Sequence, residues 1–260
     1  SANALGGAGG PLAVLIIAIV ASELGKAVSK ETRVDILVTP LVTIFSGVGL
    51  SMLIAAPIGA AASQVGTLIM WATEQAPLVM GILVSVIVGV ALTLPISSAA
   101  ICAALGLTGL AGGAAVAGCC AQMIGFAVMS YKENGVGGLV SQGLGTSMLQ
   151  MGNIVKNPRI WIAPTLASAI TGPLATCVFH FEMNGAAVSS GMGTCGLVGQ
   201  IGVYTGWVSD IAAGTKAAIT PMDWAAMVLL CFVLPAVLSV IFCEIERKLG
   251  WIKEGDLKLN

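Results

Sequence analysis

Long apolar stretches separated by short polar ones dominate the chain. Runs such as "PLVMGILVSVIVGVALTLP" (77–95) reach the roughly 20 residues that a helix needs to cross a bilayer. The short segments of alternating polarity that are typical of outer-membrane strands do not recur along the sequence. The pattern therefore predicts an all-α, polytopic integral membrane protein. Its apolar segments fall at 8–24, 36–56, 57–73, 77–95, 97–129, 136–154, 160–179, 184–208 and 225–244.

Two of these segments differ from the others. The segments at 136–154 and 184–208 are rich in glycine, and they contain the related motifs "GLGTSM" (143–148) and "GMGTCG" (191–196). We predict that both are re-entrant elements, each followed by a spanning helix. Residues 136–179 and 184–244 then form an inverted repeat, and the whole chain has about seven or eight transmembrane helices. The segment 97–129 is too long for one simple span and is expected to break at "GLTGLAGG".

The positions of Lys and Arg support this topology. Basic residues near span ends favour the cytoplasm. If the two glycine-rich segments enter and leave on the same side, ten of the 11 basic residues lie inside and Lys216 lies outside. One re-entrant element then enters from the cytoplasm and the other from outside. We therefore expect a single transmembrane domain over 1–260, with a cytoplasmic tail at 245–260. Residues 1–10 are interpreted as a tag or as the start of a truncated N-terminus.

Composition narrows the functional classes. Hydrophobic residues make up 57% of the 260 residues and charged residues only 9%, far from the quarter that is typical of soluble proteins. A net charge of −1 without a basic tract argues against nucleic acid as a partner. The seven cysteines lack metal-ligand spacing, and no nucleotide-binding motif is present. We therefore expect no metal and no cofactor.

The repeated motifs and the residues near them are the candidates for solute binding. Glycine lets backbone approach a ligand, and the following Thr supplies a hydroxyl. An ionisable residue near an intramembrane cavity also suggests function. The simpler alternatives are that small residues only let helices pack closely, and that the His and Glu are solvated in a loop. The predicted substrate-binding residues are Gly145, Thr146, Ser147, Gln150, Asn153, His180, Glu182, Asn184, Gly193 and Thr194.

Other polar and aromatic positions are less informative. Gln122 is a lone amide in the apolar run "GCCAQMIGF", and it suits an interhelical contact or a pore equally well. The five tryptophans fall near the ends of segments, as in an aromatic belt. We interpret them as anchors at the membrane interface.

Four stretches together resemble a known family. "LTLPISSAAI", "GCCAQMIGFAV", "GLGTSMLQMGNIVKNPRIWIAPTLASAITGPLAT" and "GMGTCGLVGQIG" are similar to the phosphotransferase-system enzyme IIC-like membrane proteins that include the perfringolysin O regulator-like, or putative toxin regulator, proteins. The resemblance covers residues 33–208. It implies a multi-pass protein of the bacterial inner membrane that forms a homodimer and binds a sugar at re-entrant elements.

The resemblance also implies a function. The chain is expected to be a permease for a small polar solute, most simply a sugar or a sugar derivative, working with separate phosphotransferase IIA and IIB proteins. No enzymatic activity is predicted for the chain itself, because it has no fused domain with a phosphorylatable His or Cys. By analogy, Glu182 and His180 would contact sugar hydroxyls. One alternative is a membrane sensor or regulatory scaffold that binds a solute without transporting it, and a weaker one is a channel.

Overall fold

The computed structural model describes residues 10–30 and 35–259. These residues are helical or irregular, apart from one isolated antiparallel bridge between Gly109 and Met183. Except for Gly10, the predicted tag or truncated N-terminus lies outside the described residues. The all-α prediction is thus confirmed for the part of the chain that the structure describes.

The chain divides into two compact units. In its described part, the first contains residues up to Thr67 together with Ala103–Leu105. It holds α1 (Gly10–Val28) and most of α2 (Asp35–Gln75). Ala13 and Ile17 of α1 pack against Ala55 of α2.

Helix α2 differs from the sequence prediction. It runs for 41 residues without interruption, whereas the sequence pattern predicted two crossings at 36–56 and 57–73. Pro57 lies within this helix, at the predicted boundary between the two crossings. A proline removes one backbone donor, but neighbouring groups can satisfy the freed carbonyl in apolar surroundings, so the helix continues through it.

The second unit is built around four helices. Helices α3 (Pro77–Thr93), α5 (Gly109–Met129), α8 (Ile162–Pro173) and α11 (Leu234–Lys248) make its most extensive contacts. Helix α5 lies at the centre and is almost entirely buried. Its sequence "GLAGGAAVAGCCAQ" consists largely of small residues, which let neighbouring helices approach closely without a hydrophobic driving force.

Four described helices are long and apolar enough to span a membrane. They are Asp35–Gln75, Gly109–Met129, Pro158–Val178 and Pro221–Lys248. Helix α3 is apolar but only 17 residues long. The structure thus supports a polytopic helical membrane protein, while the predicted number of seven or eight spans stays a prediction.

The remaining described chain is made of shorter or interrupted elements. The break predicted within 97–129 is present: α4 (Ser98–Leu105) is separated from α5 by three residues. Gly106 and Gly109 flank this turn with positive φ angles of 64° each, which glycine adopts without steric cost. Helix α10 (Pro221–Val228) joins α11 through a π turn. Residues 249–259 follow α11 as an irregular segment.

Both glycine-rich segments lose regular helical structure at their motifs. In the first, α6 (Tyr131–Val140) passes into a π turn and a 3-10 turn before the short α7 (Met151–Lys156). In the second, two 3-10 turns precede α9 (Val198–Ala213). Neither segment forms one straight helix.

Candidate functional site

The two Gly-Thr motifs are in direct contact. The Thr194 hydroxyl donates a hydrogen bond to the carbonyl oxygen of Gly143 at 2.5 Å. Both side chain and acceptor are buried. In a regular helix, backbone carbonyls accept hydrogen bonds from the helix itself, whereas irregular backbone leaves some of them free. A Thr side chain from the other segment can therefore donate to one of them. The irregular parts of the two glycine-rich segments are therefore hydrogen-bonded to each other.

Gly193 explains why the second motif needs glycine. Its φ angle is +52°, and a Cβ atom at this position would lie 2.7 Å from the Cβ of Cys119 on α5. Both the backbone conformation and the packing therefore exclude a side chain. The close contact with α5 places the neighbouring Thr194 in the protein interior. Gly145 of the first motif differs, because a Cβ atom there would meet no other atom within 4 Å.

Thr146 and Ser147 have local and interhelical partners. The Thr146 hydroxyl accepts a hydrogen bond from the Met148 amide and caps the 3-10 turn that follows. The Ser147 hydroxyl lies 2.9 Å from that of Thr93 on α3. Thr93 in turn donates to Gln122 on α5. This chain of contacts connects the first motif to two helices of the core.

Gln122 bonds to other helices through both its oxygen and its amide nitrogen. Its side-chain oxygen accepts a hydrogen bond from the Trp161 indole at 2.9 Å, and its amide donates to Thr165. Of the two roles that the sequence left open, these contacts favour interhelical bonding.

Gln150 and Asn153 form a buried amide cluster with the C-terminal segment. The amide cluster comprises Asn134, Gln142, Gln150 and Asn153 together with the carbonyls of Leu257 and Lys258. Gln150 donates to Gln142 and to the Leu257 carbonyl, both at 2.9 Å. Asn153 donates to Gln150 and to the Lys258 carbonyl.

Residues of α6 and of the π turn after it complete the amide cluster. Asn134 donates to the Leu257 carbonyl at 2.8 Å and accepts from the Leu259 amide. Gln142 donates to Ser130 and Gly138. The amides nearest the first motif thus bind the protein's own backbone.

A polar pocket lies elsewhere in the second unit. Its volume is about 490 Å³, within the range that small-molecule sites occupy. Most of its charged groups are carboxylates. The lining residues are Phe179, His180, Phe181, Glu182, Asn184, Trp207, Asp210, Thr215, Lys216, Met222, Asp223 and Ala226.

One wall of the pocket is the irregular segment 179–184. Met183 exchanges two backbone hydrogen bonds of 3.0 Å with Gly109 at the start of α5. Phe181 and Met183 are buried in the hydrophobic core, whereas His180 and Glu182 are exposed. His180 has a positive φ angle of 44°, so the segment is not a regular strand. His180, Glu182 and Asn184 all line the pocket.

Asn184 connects this wall to α9. Its amide donates to Glu182 at 3.0 Å and to Asp210 at 2.9 Å. A Cβ atom on Gly206 of α9 would lie within 2.9 Å of the Asn184 backbone nitrogen. Glycine at 206 therefore allows the close approach that places Asp210 next to Asn184.

The pocket lining also contains an ion pair, with an aromatic cluster beside it. Lys216 binds Asp223 at 2.8 Å and lies 5.8 Å from the centre of the Trp207 ring. Trp207 makes an edge contact with Trp224 at 5.6 Å. Asp223 also takes part in a capping box with Thr220 at the start of α10, which fixes its position.

The structure separates the predicted binding residues into two groups. His180, Glu182 and Asn184 line the pocket. The other seven surround the motif contact or the amide cluster: Gly145, Thr146, Ser147, Gln150, Asn153, Gly193 and Thr194.

The other nine residues of the pocket lining were not predicted as binding residues. They include all its remaining charged side chains and its tryptophan: Trp207, Asp210, Lys216 and Asp223. Trp207 was interpreted as an interfacial anchor, yet it is only 5% exposed and belongs to the core next to the pocket. One sequence signal could have indicated the wall on α9: Trp207 and Asp210 are three residues apart, so they share a helix face.

Comparison with known proteins gives one match. The family model described as "Phosphotransferase system, EIIC" matches residues 1–259. No curated protein and no solved structure matches the chain. The narrower likeness to toxin-regulator proteins stays a prediction. Because the match extends over nearly the whole chain and the described helices are long and apolar, this membrane protein belongs to the phosphotransferase system EIIC family and is a permease component of that system.

Proposed function

We propose that the chain binds and translocates a sugar or a sugar derivative, and that the solute first binds in the pocket at Glu182, Asn184, Trp207 and Asp210. The observation that carries this proposal is the pocket itself. It combines carboxylates and an amide, which can contact hydroxyl groups, with an aromatic wall of the kind that binds the apolar face of a ring.

The proposed topology gives the pocket a direction. The Lys and Arg distribution predicts that Lys216 lies outside, and Lys216 lines the pocket. The pocket then faces the external side, where a solute to be taken up would enter. Residues 245–260 lie on the cytoplasmic side in the same scheme.

The motif contact is proposed as the inner part of the pathway. Asn184 lies at the pocket, and the 3-10 turn that begins at Ala187 leads to Thr194, which touches Gly143 of the other segment. Interrupted elements that meet inside a membrane protein are typical of transporter sites, because their free backbone groups can bind solutes. The two segments would act as opposed re-entrant elements of an inverted repeat. Movement of one against the other would alternately open each side.

Separate phosphotransferase IIA and IIB proteins would phosphorylate the solute on the cytoplasmic side. The proposed assembly is a homodimer in the bacterial inner membrane. Light scattering of the detergent-solubilised protein tests the homodimer, and a mass of one chain per particle would contradict it.

Thermal-shift measurements with sugars, polyols and sugar acids test binding. A ligand at 100 times its dissociation constant stabilises the native state by about 2.7 kcal/mol, which a thermal-shift assay detects. We expect a stabilising ligand whose effect falls to about half or less in Glu182→Gln and persists in the matched exposed-site variant Glu254→Gln. A ligand that binds equally well to Glu182→Gln would contradict the pocket assignment.

Flux into liposomes separates a permease from a sensor. We expect the ligand found by thermal shift to enter liposomes that contain the protein. Binding without flux, in protein reconstituted in both orientations and supplied with its phosphotransferase partners, would instead support the sensor or scaffold alternative.

A further inference from the structure

We propose that the pocket selects a polyhydroxy solute carrying a positively charged amino group, as in an amino sugar, over neutral and acidic sugars. This inference rests on the proposed function, because it names the chemical class of solute for the same site. It follows from the arrangement of charge around the pocket.

The carboxylates of the pocket are unequally neutralised. Asp223 is paired with Lys216 at 2.8 Å and also accepts hydrogen bonds from Thr220. Glu182 and Asp210 have no Lys or Arg partner among the described residues. Apart from His180, Lys216 is the one basic side chain in the described pocket lining. Two negative charges are therefore left after Lys216 and Asp223 cancel.

Asn184 holds these two charges close together. Its single amide group donates one hydrogen bond to Glu182 Oε2 and one to Asp210 Oδ2. Two carboxylates on one amide nitrogen repel each other, and the neutral amide offsets only part of that repulsion. Glu182 Oε1 and Asp210 Oδ1 have no donor within the part of the chain that the structure describes. The pocket thus presents two free carboxylate oxygens fixed by a common partner.

An ammonium group matches this arrangement. It carries one positive charge and three donors, so it can bond to both free oxygens at once. Its charge adds a Coulomb attraction to both carboxylates beyond the hydrogen bonds themselves. Two hydroxyls of a neutral sugar can also donate to the two oxygens, but they bring no positive charge to offset the carboxylates. A sugar carboxylate would add a third unpaired negative charge to the pocket.

Charged thiol reagents test the pocket potential without any assumed ligand. Met222 lines the pocket and is 65% exposed, so Met222→Cys offers a thiol there. The background carries Cys177→Ser and Cys195→Ser, which removes the more exposed native thiols. Leu249→Cys is the control, because Leu249 is 58% exposed and outside the pocket.

The measured quantity is a ratio of two modification rates: that of a cationic methanethiosulfonate divided by that of an anionic one. Each rate is first divided by the rate of the same reagent with a free thiol in solution. We expect this ratio to be higher at Met222→Cys than at Leu249→Cys. Glu182→Gln and Asp210→Asn should each lower it by about threefold or more, and 1 M salt should reduce the differences because the screening length falls to about 3 Å. Equal ratios at the two cysteines would overturn the inference.

Three sugars with the same ring test selectivity. Glucosamine, glucose and glucuronate differ in one substituent that is positive, neutral or negative. We expect isothermal titration to show glucosamine binding at least tenfold more tightly than glucose, with glucuronate weaker than both. Asp210→Asn should reduce glucosamine to the affinity of glucose, while Glu254→Gln leaves the order unchanged.

The outcomes separate the two proposals. If glucosamine and glucose bind with equal affinity, and Trp207→Ala abolishes this binding in protein that stays folded, the pocket is a sugar site but the charge preference is overturned. A cationic reagent preference at Met222→Cys with no binding of any of the three sugars would retain the negative pocket and contradict sugar binding.

Discussion

The polar pocket and the amide cluster both contain carboxylates or amides in an otherwise apolar protein, but they use them differently. In the amide cluster, Gln150 directs both its donors and its acceptor at other protein groups, and Asn153 directs both its donors at them. In the pocket, Glu182 and Asp210 each keep one carboxylate oxygen without a donor from the described residues. A buried polar group that is fully bonded stabilises the fold, whereas a free one near a cavity is available to a solute.

The two regions also differ in what surrounds them. Ile252 and Leu257 of the C-terminal segment are 3% and 0% exposed and pack in a core cluster with Phe126 and Cys243. The amide cluster is therefore part of a packed interior. The pocket is lined partly by exposed residues, including His180 and Glu182. Substitutions should accordingly affect stability in the first region and binding in the second.

Removal of residues 251–260 should have the largest effect. Burial of one aliphatic side chain contributes about 1.5–3 kcal/mol, so the loss of Ile252 and Leu257 should cost roughly 3–6 kcal/mol of unfolding free energy. The deletion also leaves Gln150 and Asn153 without their carbonyl acceptors. Thermal denaturation in detergent measures the loss. A melting temperature equal to that of the full chain would show that the C-terminal segment does not stabilise this end of the fold.

Gln150→Ala should destabilise the protein by about 2–3 kcal/mol, because it leaves buried partners unpaired. Those partners are the Gln142 side chain, the Asn153 amide and the Leu257 carbonyl. Met148→Ala is the matched control, since Met148 lies two residues away and is 43% exposed. Chemical denaturation provides the comparison. If Gln150→Ala instead abolished solute binding at unchanged stability, Gln150 would belong to the solute site.

Glu182→Gln should show the opposite behaviour. Because Glu182 is exposed and its side chain has a hydrogen bond only from Asn184 among the described residues, the unfolding free energy should change by less than about 0.5 kcal/mol. Solute affinity should fall by about tenfold or more, since a hydrogen bond to a charged group contributes about 1.5–3 kcal/mol. Parallel melting and binding curves test this separation. A large loss of stability would make Glu182 a structural residue and remove the contrast between the regions.

The sequence predicted the helical membrane class because apolar periodicity and length depend only on local composition. It also located the break before Gly109, since "GLTGLAGG" offers glycines for a positive-φ turn. The pocket was only partly accessible to such reasoning. Glu182 and Asn184 stood out as polar residues beside a motif, but Asp223 reaches the same pocket from an element about 40 residues away.

The partners of Gln150 and Asn153 could not have been predicted from the sequence. Their acceptors are backbone carbonyls of Leu257 and Lys258, more than 100 residues further along the chain. Every residue has a carbonyl, so the sequence carries no signal for which one an amide will bind. A conspicuous polar side chain in an apolar chain therefore marks a buried network as readily as it marks a solute site.

Thr194→Val should have only a modest effect on stability, and it tests whether the two regions are coupled. Thr194 follows the pocket segment in the chain and donates to the carbonyl of Gly143, whose neighbour Gln142 belongs to the amide cluster. Loss of this one hydrogen bond should cost about 1 kcal/mol. Thr205→Val is the control, because the Thr205 hydroxyl bonds only within its own helix. If the regions are coupled through this contact, Thr194→Val should reduce flux into liposomes at unchanged solute affinity. Unchanged flux at the expected loss of stability would leave the contact a structural bond and the two regions independent.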